Sequence, residues 1–219
     1  MLNLNRPDAN EHVKHRIRMR YVRDRDLRAP MKPLVITGAQ VMASLEKADV
    51  VYNTDAVDAK TAAASCHAGS LPPGVPAKAP FIVEDKLGRR FTAHWVVTPG
   101  RHEYRTLVTD QMQLPYDTTV HFIGVHVHPY SESLELRDVT TGASVWKATT
   151  RTSRERIGLD AIDDLSSVDG IPVYRDHQYE LVSVYANPTT RDSDAMASMF
   201  IYYLDKEFRP PGRGNAAAS

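Results

Sequence analysis

The chain has 219 residues, enough to bury a substantial core, and its 42% apolar and 25% charged content is that of an ordinary globular protein. Lys and Arg (27) balance Asp and Glu (27), so nothing global argues for nucleic acid, a membrane surface or a strongly charged ligand. The one cysteine, Cys66, excludes an intramolecular disulfide, a zinc site built on two or more thiolates and an iron–sulfur cluster. No apolar run approaches the ~18 residues of a membrane helix.

Met1 to Asn10 lacks the basic-then-apolar pattern of a signal peptide. The expectation is a cytoplasmic protein if Met1 is the native start, and a periplasmic or secreted one if the chain is a processed form.

From residue 12 to residue 22 the sequence alternates: Val13, His15, Ile17, Met19 and Tyr21 on one side, Lys14, Arg16, Arg18 and Arg20 on the other. This predicts a half-buried strand with a basic outer face, read either as a phosphate-binding stripe or as a charged edge that keeps the sheet from pairing with strangers. Residues 34–43 and 48–52 are short and β-capable, although Gln40 to Lys47 could form one helical turn. Residues 53–80 are Ala-rich and punctuated by Gly and Pro, which predicts a long loop carrying the adjacent pair Cys66 and His67.

Strand signals then recur at 81–84, 91–97 and 103–108, each bounded by Gly, Pro or Asp. They continue at 120–128 and 133–137, with Thr140 to Gly142 as the turn of a hairpin whose second strand is 144–148. Residues 150–170 are polar and without period, with at most a short helix around 159–165. Strong strands follow at 178–185 and 195–204, and the Pro/Gly/Ala stretch 209–219 is expected to be disordered. Eight to ten short strands with no long helix predict an all-β, antiparallel β-sandwich of jelly-roll type, one domain over residues 1–208.

The chemistry concentrates in Val120-His-Phe-Ile-Gly-Val-His-Val-His-Pro129. Residues two apart in a strand share a face about 6.5 Å apart, so His126 and His128 can both reach one metal ion. Pro129 ends regular pairing directly after His128, and Gly124 leaves room beside the rings. Met196, in Asp194-Ala-Met-Ala-Ser-Met-Phe-Ile-Tyr-Tyr203, is the third candidate ligand. A thioether is a poor ligand for zinc or calcium and a good one for Cu(I), while imidazole serves both copper states, so the set selects copper. Met199 lies on the opposite strand face and is assigned to the core. His121 falls on the face opposite His126 and reads as a hydrogen-bonded core histidine. His94 and His102 flank a Pro-Gly turn with no spacing that ties them to the site. Glu132 and Glu135 are either partners that orient an imidazole or solvated strand residues.

The stretch Thr119 to His128, followed by Ser133-Leu-Glu-Leu-Arg137, resembles the segment with the His-x-His copper ligands in the copper type II, ascorbate-dependent monooxygenases, the family of peptidylglycine α-hydroxylating monooxygenase. Tyr185-Ala-Asn-Pro-Thr189 through Asp194-Ala-Met196 to Tyr202-Tyr203 is similar to that family's methionine-ligand strand. Residues 95–205 carry the resemblance. It implies a jelly-roll sandwich in which His126, His128 and Met196 hold the oxygen-binding copper. Family members carry a second, three-histidine copper domain that delivers an electron. No second histidine cluster is legible here, which implies an external electron donor or a partner domain. The function so implied is O₂ activation by a mononuclear copper oxidoreductase. The alternatives are copper storage, delivery or sensing without turnover, and a metal-free interaction sandwich.

Overall fold

A computed structural model of the chain describes residues 14, 16–19, 21–23, 26, 31–45, 82–85, 87–153, 155 and 157–209. The expected strand 48–52, the loop 53–80 with Cys66 and His67, and the tail from residue 210 lie outside the described residues. The strands in chain order are β1 (Leu34–Gln40), β2 (Ala43–Ser44), β3 (Ile82–Glu84), β4 (Arg90–Thr92), β5 (Trp95–Val97), β6 (Gly100–Leu107), β7 (Thr118–Val127) and β8 (Ser131–Asp138). They continue as β9 (Ala143–Thr152), β10 (Leu159–Ile162), β11 (Leu165–Val173), β12 (Tyr179–Asn187), β13 (Ser193–Ala195) and β14 (Ala197–Leu204). One short helix, α1 (Thr109–Met112), joins β6 to β7.

Two antiparallel sheets carry the molecule, one ordered β1-β14-β7-β11 and the other β10-β9-β8-β12-β6. Each draws strands from both halves of the chain. Their inner faces meet in one apolar cluster: Val120, Ile123, Met199 and Ile201 from the first sheet, and Leu134, Leu136, Leu181 and Tyr185 from the second, are all buried. The β-branched run of β7 suits the pleat, and its alternation sets Val125 and Val127 toward this cluster. The result is an all-β sandwich, as the alternating pattern predicts. Among the described residues no helix is long and apolar enough to cross a membrane.

Four local expectations are corrected. The described residues between 14 and 22 are not strand, and Ile17, Met19 and Tyr21 are 84%, 82% and 83% exposed. Alternation makes a strand only where a sheet edge pairs with it, and no ladder among the described residues takes this segment. In place of a helix at 159–165, Leu159 to Ile162 pair with β9 and Leu165 onward pairs with β7. The Asp163 carboxylate accepts from the Thr149 N–H at 3.0 Å and from its hydroxyl, which fixes the crossing between the two sheets.

The run 91–97 is broken at His94. The Thr92 hydroxyl accepts from the His94 N–H at 3.1 Å and reaches the His94 carbonyl at 3.0 Å, a local clasp that competes with the ladder. Finally, the β7–β14 register shifts between Phe122 and Val120, leaving His121 as the extra residue of a bulge. Counting by twos from His126 therefore misplaces His121, whose Nε2 lies 2.9 Å from the Thr119 hydroxyl and whose Nδ1 lies 2.9 Å from the Ser167 carbonyl. It is buried and hydrogen-bonded through both nitrogens, which agrees with its reading as a structural histidine.

Candidate metal centre

Two ladders end at one place. β7 runs out at Val127, β5 begins at Trp95, and the chain passes from β13 to β14 at Met196. In the β13–β5 ladder Ala195 faces Trp95, and in the β14–β7 ladder Ala197 faces Val127. Continuing each by one residue sets Met196 opposite His94 on one side and opposite His128 on the other. A single buried side chain ties the junction: the Tyr185 hydroxyl accepts from the His128 N–H at 3.0 Å and donates to the Met196 carbonyl at 2.5 Å. Tyr185 itself packs edge-on against Trp95, with ring centroids 5.9 Å apart. Burial raises its phenol far above the ordinary range, so this bridge keeps its proton at any physiological pH.

The two histidines read from the sequence do come together, with ring centroids 5.3 Å apart and planes at 79°. His126 is exposed and His128 half-buried, as expected at a strand end. The structure adds two residues that the spacing did not select. His94 lies with its ring centroid 5.5 Å from that of His128, and Asp194 reaches both, with Oδ1 2.5 Å from His94 Nε2 and Oδ2 3.1 Å from His128 Nδ1. Ligand atoms of His94, His128 and Asp194 all lie within 4.8 Å of one another.

Electrostatics suit a cation. Partial loss of water around the ring first, then the neighbouring His128 and His94 rings, push His126 below the ordinary histidine range, which favours its neutral imidazole. Burial works to raise the Asp194 carboxyl, but its contacts with His128 and His94 outweigh that and hold it below the usual carboxylate range. The two ring nitrogens beside Asp194 are at hydrogen-bond distance without hydrogen-bond alignment. His94 Nε2 and His128 Nδ1 therefore stand as buried polar atoms with no satisfied partner. Two buried imidazole nitrogens and one carboxylate converging at a strand end are a set that could hold a metal ion.

A cavity of about 270 Å³ opens beside His128 and Asp194, walled by Tyr130, Ile157 and Arg191 among others. Tyr130 is held at φ 70°, a conformation uncommon for a residue with a side chain, and its carbonyl accepts from the Ala186 N–H at 2.8 Å. The Asn187 side-chain amide donates to the Val97 and Arg191 carbonyls at 3.1 and 2.7 Å, fixing the loop that delivers Asp194.

Other candidates fall away from the site. His102 turns back on its own loop, Nε2 to the Thr98 carbonyl at 3.1 Å. Glu132 pairs with Arg101 and Glu135 with Arg137, so neither orients a site imidazole. Met199 is fully buried in the core. Asp194 carries a legible signal, since it shares strand parity with Met196. His94 carries none, because only the pairing of β5 with β13 brings it in.

Compared with protein-family models, with curated proteins and with solved structures, the chain matches none of them. What fold and site define is a β-sandwich with a histidine-rich candidate metal centre at the end of a central strand.

Proposed function

We propose that this protein binds one copper ion at the β7 strand end, with His126, His128 and Met196 as ligands, and acts as an O₂-handling oxidoreductase of the ascorbate-dependent copper monooxygenase type. The carrying observation is the convergence of the His126, His128 and His94 rings at a junction where the Tyr185 hydroxyl ties the His128 and Met196 backbones together. The strand orders β1-β14-β7-β11 and β6-β12-β8-β9 support reading the sandwich as a jelly roll, since this interleaving is what two wound Greek keys produce. Bound copper would supply one-electron chemistry toward O₂, with the electron drawn from an external donor or a partner domain. The chain's own residues supply a neutral imidazole at His126, a strand that fixes its spacing from His128, and an adjacent cavity large enough for a small substrate group.

The exposure of His126 favours a second reading, copper storage or delivery, because a donor open to solvent allows the ion to pass to another protein. Copper content and electron paramagnetic resonance of purified protein test the site. One copper per chain is expected, lost in His126→Ala and weakened chiefly in the Cu(I) state by Met196→Ala. Stoichiometric copper retained in His126→Ala refutes the ligand assignment. Oxygen consumption with ascorbate then separates turnover from storage: a copper-loaded protein inert to both is a binding protein.

A further inference from the structure

We infer that His94 and Asp194 make this a two-sided site: a third imidazole and a hard carboxylate donor that favours Cu(II) on the β5–β13 side, opposed by the Met196 thioether that favours Cu(I). The inference rests on the copper reading above and adds to it a third imidazole, a carboxylate and a consequence for redox poise. His94 comes from a different ribbon than the His126 and His128 pair. It arrives there because the Thr92 clasp bends the chain out of β4 and because β5 pairs with β13. Its Nε2 is buried and faces the Asp194 carboxylate, with Oδ1 2.5 Å away.

Asp194 sits between His94 and His128, and a carboxylate close to a bound ion stabilises the higher charge more than the lower. Thioether sulfur has the opposite preference. Continuing the two ladders places Met196 between His94 and His128, so both kinds of donor are offered at one point of the backbone. Reduction by a one-electron donor of the ascorbate class converts Cu(II) to Cu(I). On that step a bound ion would come to favour the Met196 sulfur over the Asp194 carboxylate. His126 and His128 would be common to both arrangements.

The test uses the full chain loaded with Cu(II) or Cu(I). Nitrogen hyperfine couplings of the wild-type Cu(II) protein should count three imidazoles, which requires no variant to fold. Asp194→Asn should lower Cu(II) affinity about tenfold in chelator competition and leave Cu(I) affinity within about threefold, and His94→Gln should lower Cu(II) affinity about tenfold with the loss of one nitrogen coupling. A tenfold loss in Cu(II) affinity alone raises the one-electron potential by about 59 mV. Met196→Ala should move the potential the other way. Two imidazole couplings, with Cu(II) affinity unchanged in His94→Gln, overturn this inference and leave the copper site standing. Absence of bound copper in the wild type overturns the proposed function itself.

Discussion

Tyr185 offers the sharpest test of how the site is held. Tyr185→Phe removes one oxygen and keeps the ring, which is fully buried and packs edge-on against Trp95. Two hydrogen bonds go with it, from the His128 N–H and to the Met196 carbonyl. Each is worth about 1 kcal/mol net, and the groups left behind lose their partner at a half-buried junction, so the expected loss is about 2–3 kcal/mol. For a chain of this size that is a fall of roughly 5–10 °C in Tm. Urea unfolding should show a lower midpoint at an unchanged m value, because the same surface is exposed. Since the hydroxyl also holds His128 and Met196 together, Cu(I) affinity should drop about tenfold, equivalent to roughly 1.4 kcal/mol. A stability loss below about 0.5 kcal/mol with unaltered copper affinity would refute the bridge.

Gly170→Ala should cost about 3 kcal/mol by chemical denaturation. Gly170 has φ 80°, and an added Cβ would stand 2.7 Å from Thr119 Cβ and 2.8 Å from the His121 ring. A loss under about 1 kcal/mol would mean that the β11 backbone, whose register with β7 shifts between Ser166 and Ile171, yields easily. Met199→Ala should cost about 2–5 kcal/mol and leave copper stoichiometry intact, because Met199 is fully buried core. Met196→Ala should cost less stability and weaken chiefly Cu(I) binding, and equal stability costs would remove the distinction between the two methionines. Asp138 gives a pH dependence. Burial works to raise its carboxyl, but hydrogen bonds from His177 and Thr141 hold it below the ordinary value of 3.8. Its contribution is therefore present above the unfolded value and is lost as pH falls through the lower folded one. Urea midpoints of wild type and Asp138→Asn should differ by a constant amount from pH 5 to 7 and converge below about pH 4. A gap that persists at pH 2 would contradict the assignment.

The sandwich was legible because its signal is periodic. Val125 and Val127 against His126 and His128 give the inner and outer faces of β7 without any tertiary knowledge. Where a single hydrogen bond decides, the sequence pattern misled. The Thr92 hydroxyl breaks a run that looks continuous, and one bulge residue turns the expected face of His121. The alternation of residues 14–22 is as clean as that of β7, yet Ile17, Met19 and Tyr21 are exposed, because alternation says nothing about whether an edge is available. The same limit governs the site. His126 and His128 are neighbours by covalent geometry, whereas His94 becomes one only through the pairing of β5 with β13, across about a hundred residues.

Copper stoichiometry in wild type and His128→Ala, measured after dialysis against a weak chelator, tests the central claim most directly. His128 contacts every other member of the cluster, by ring packing with His94 and His126, by Asp194 at 3.1 Å, and through the Tyr185 hydroxyl to Met196. The expected result is one copper per wild-type chain and none in a His128→Ala chain that remains folded by circular dichroism. Copper-free wild type, or equal copper in both, would contradict it.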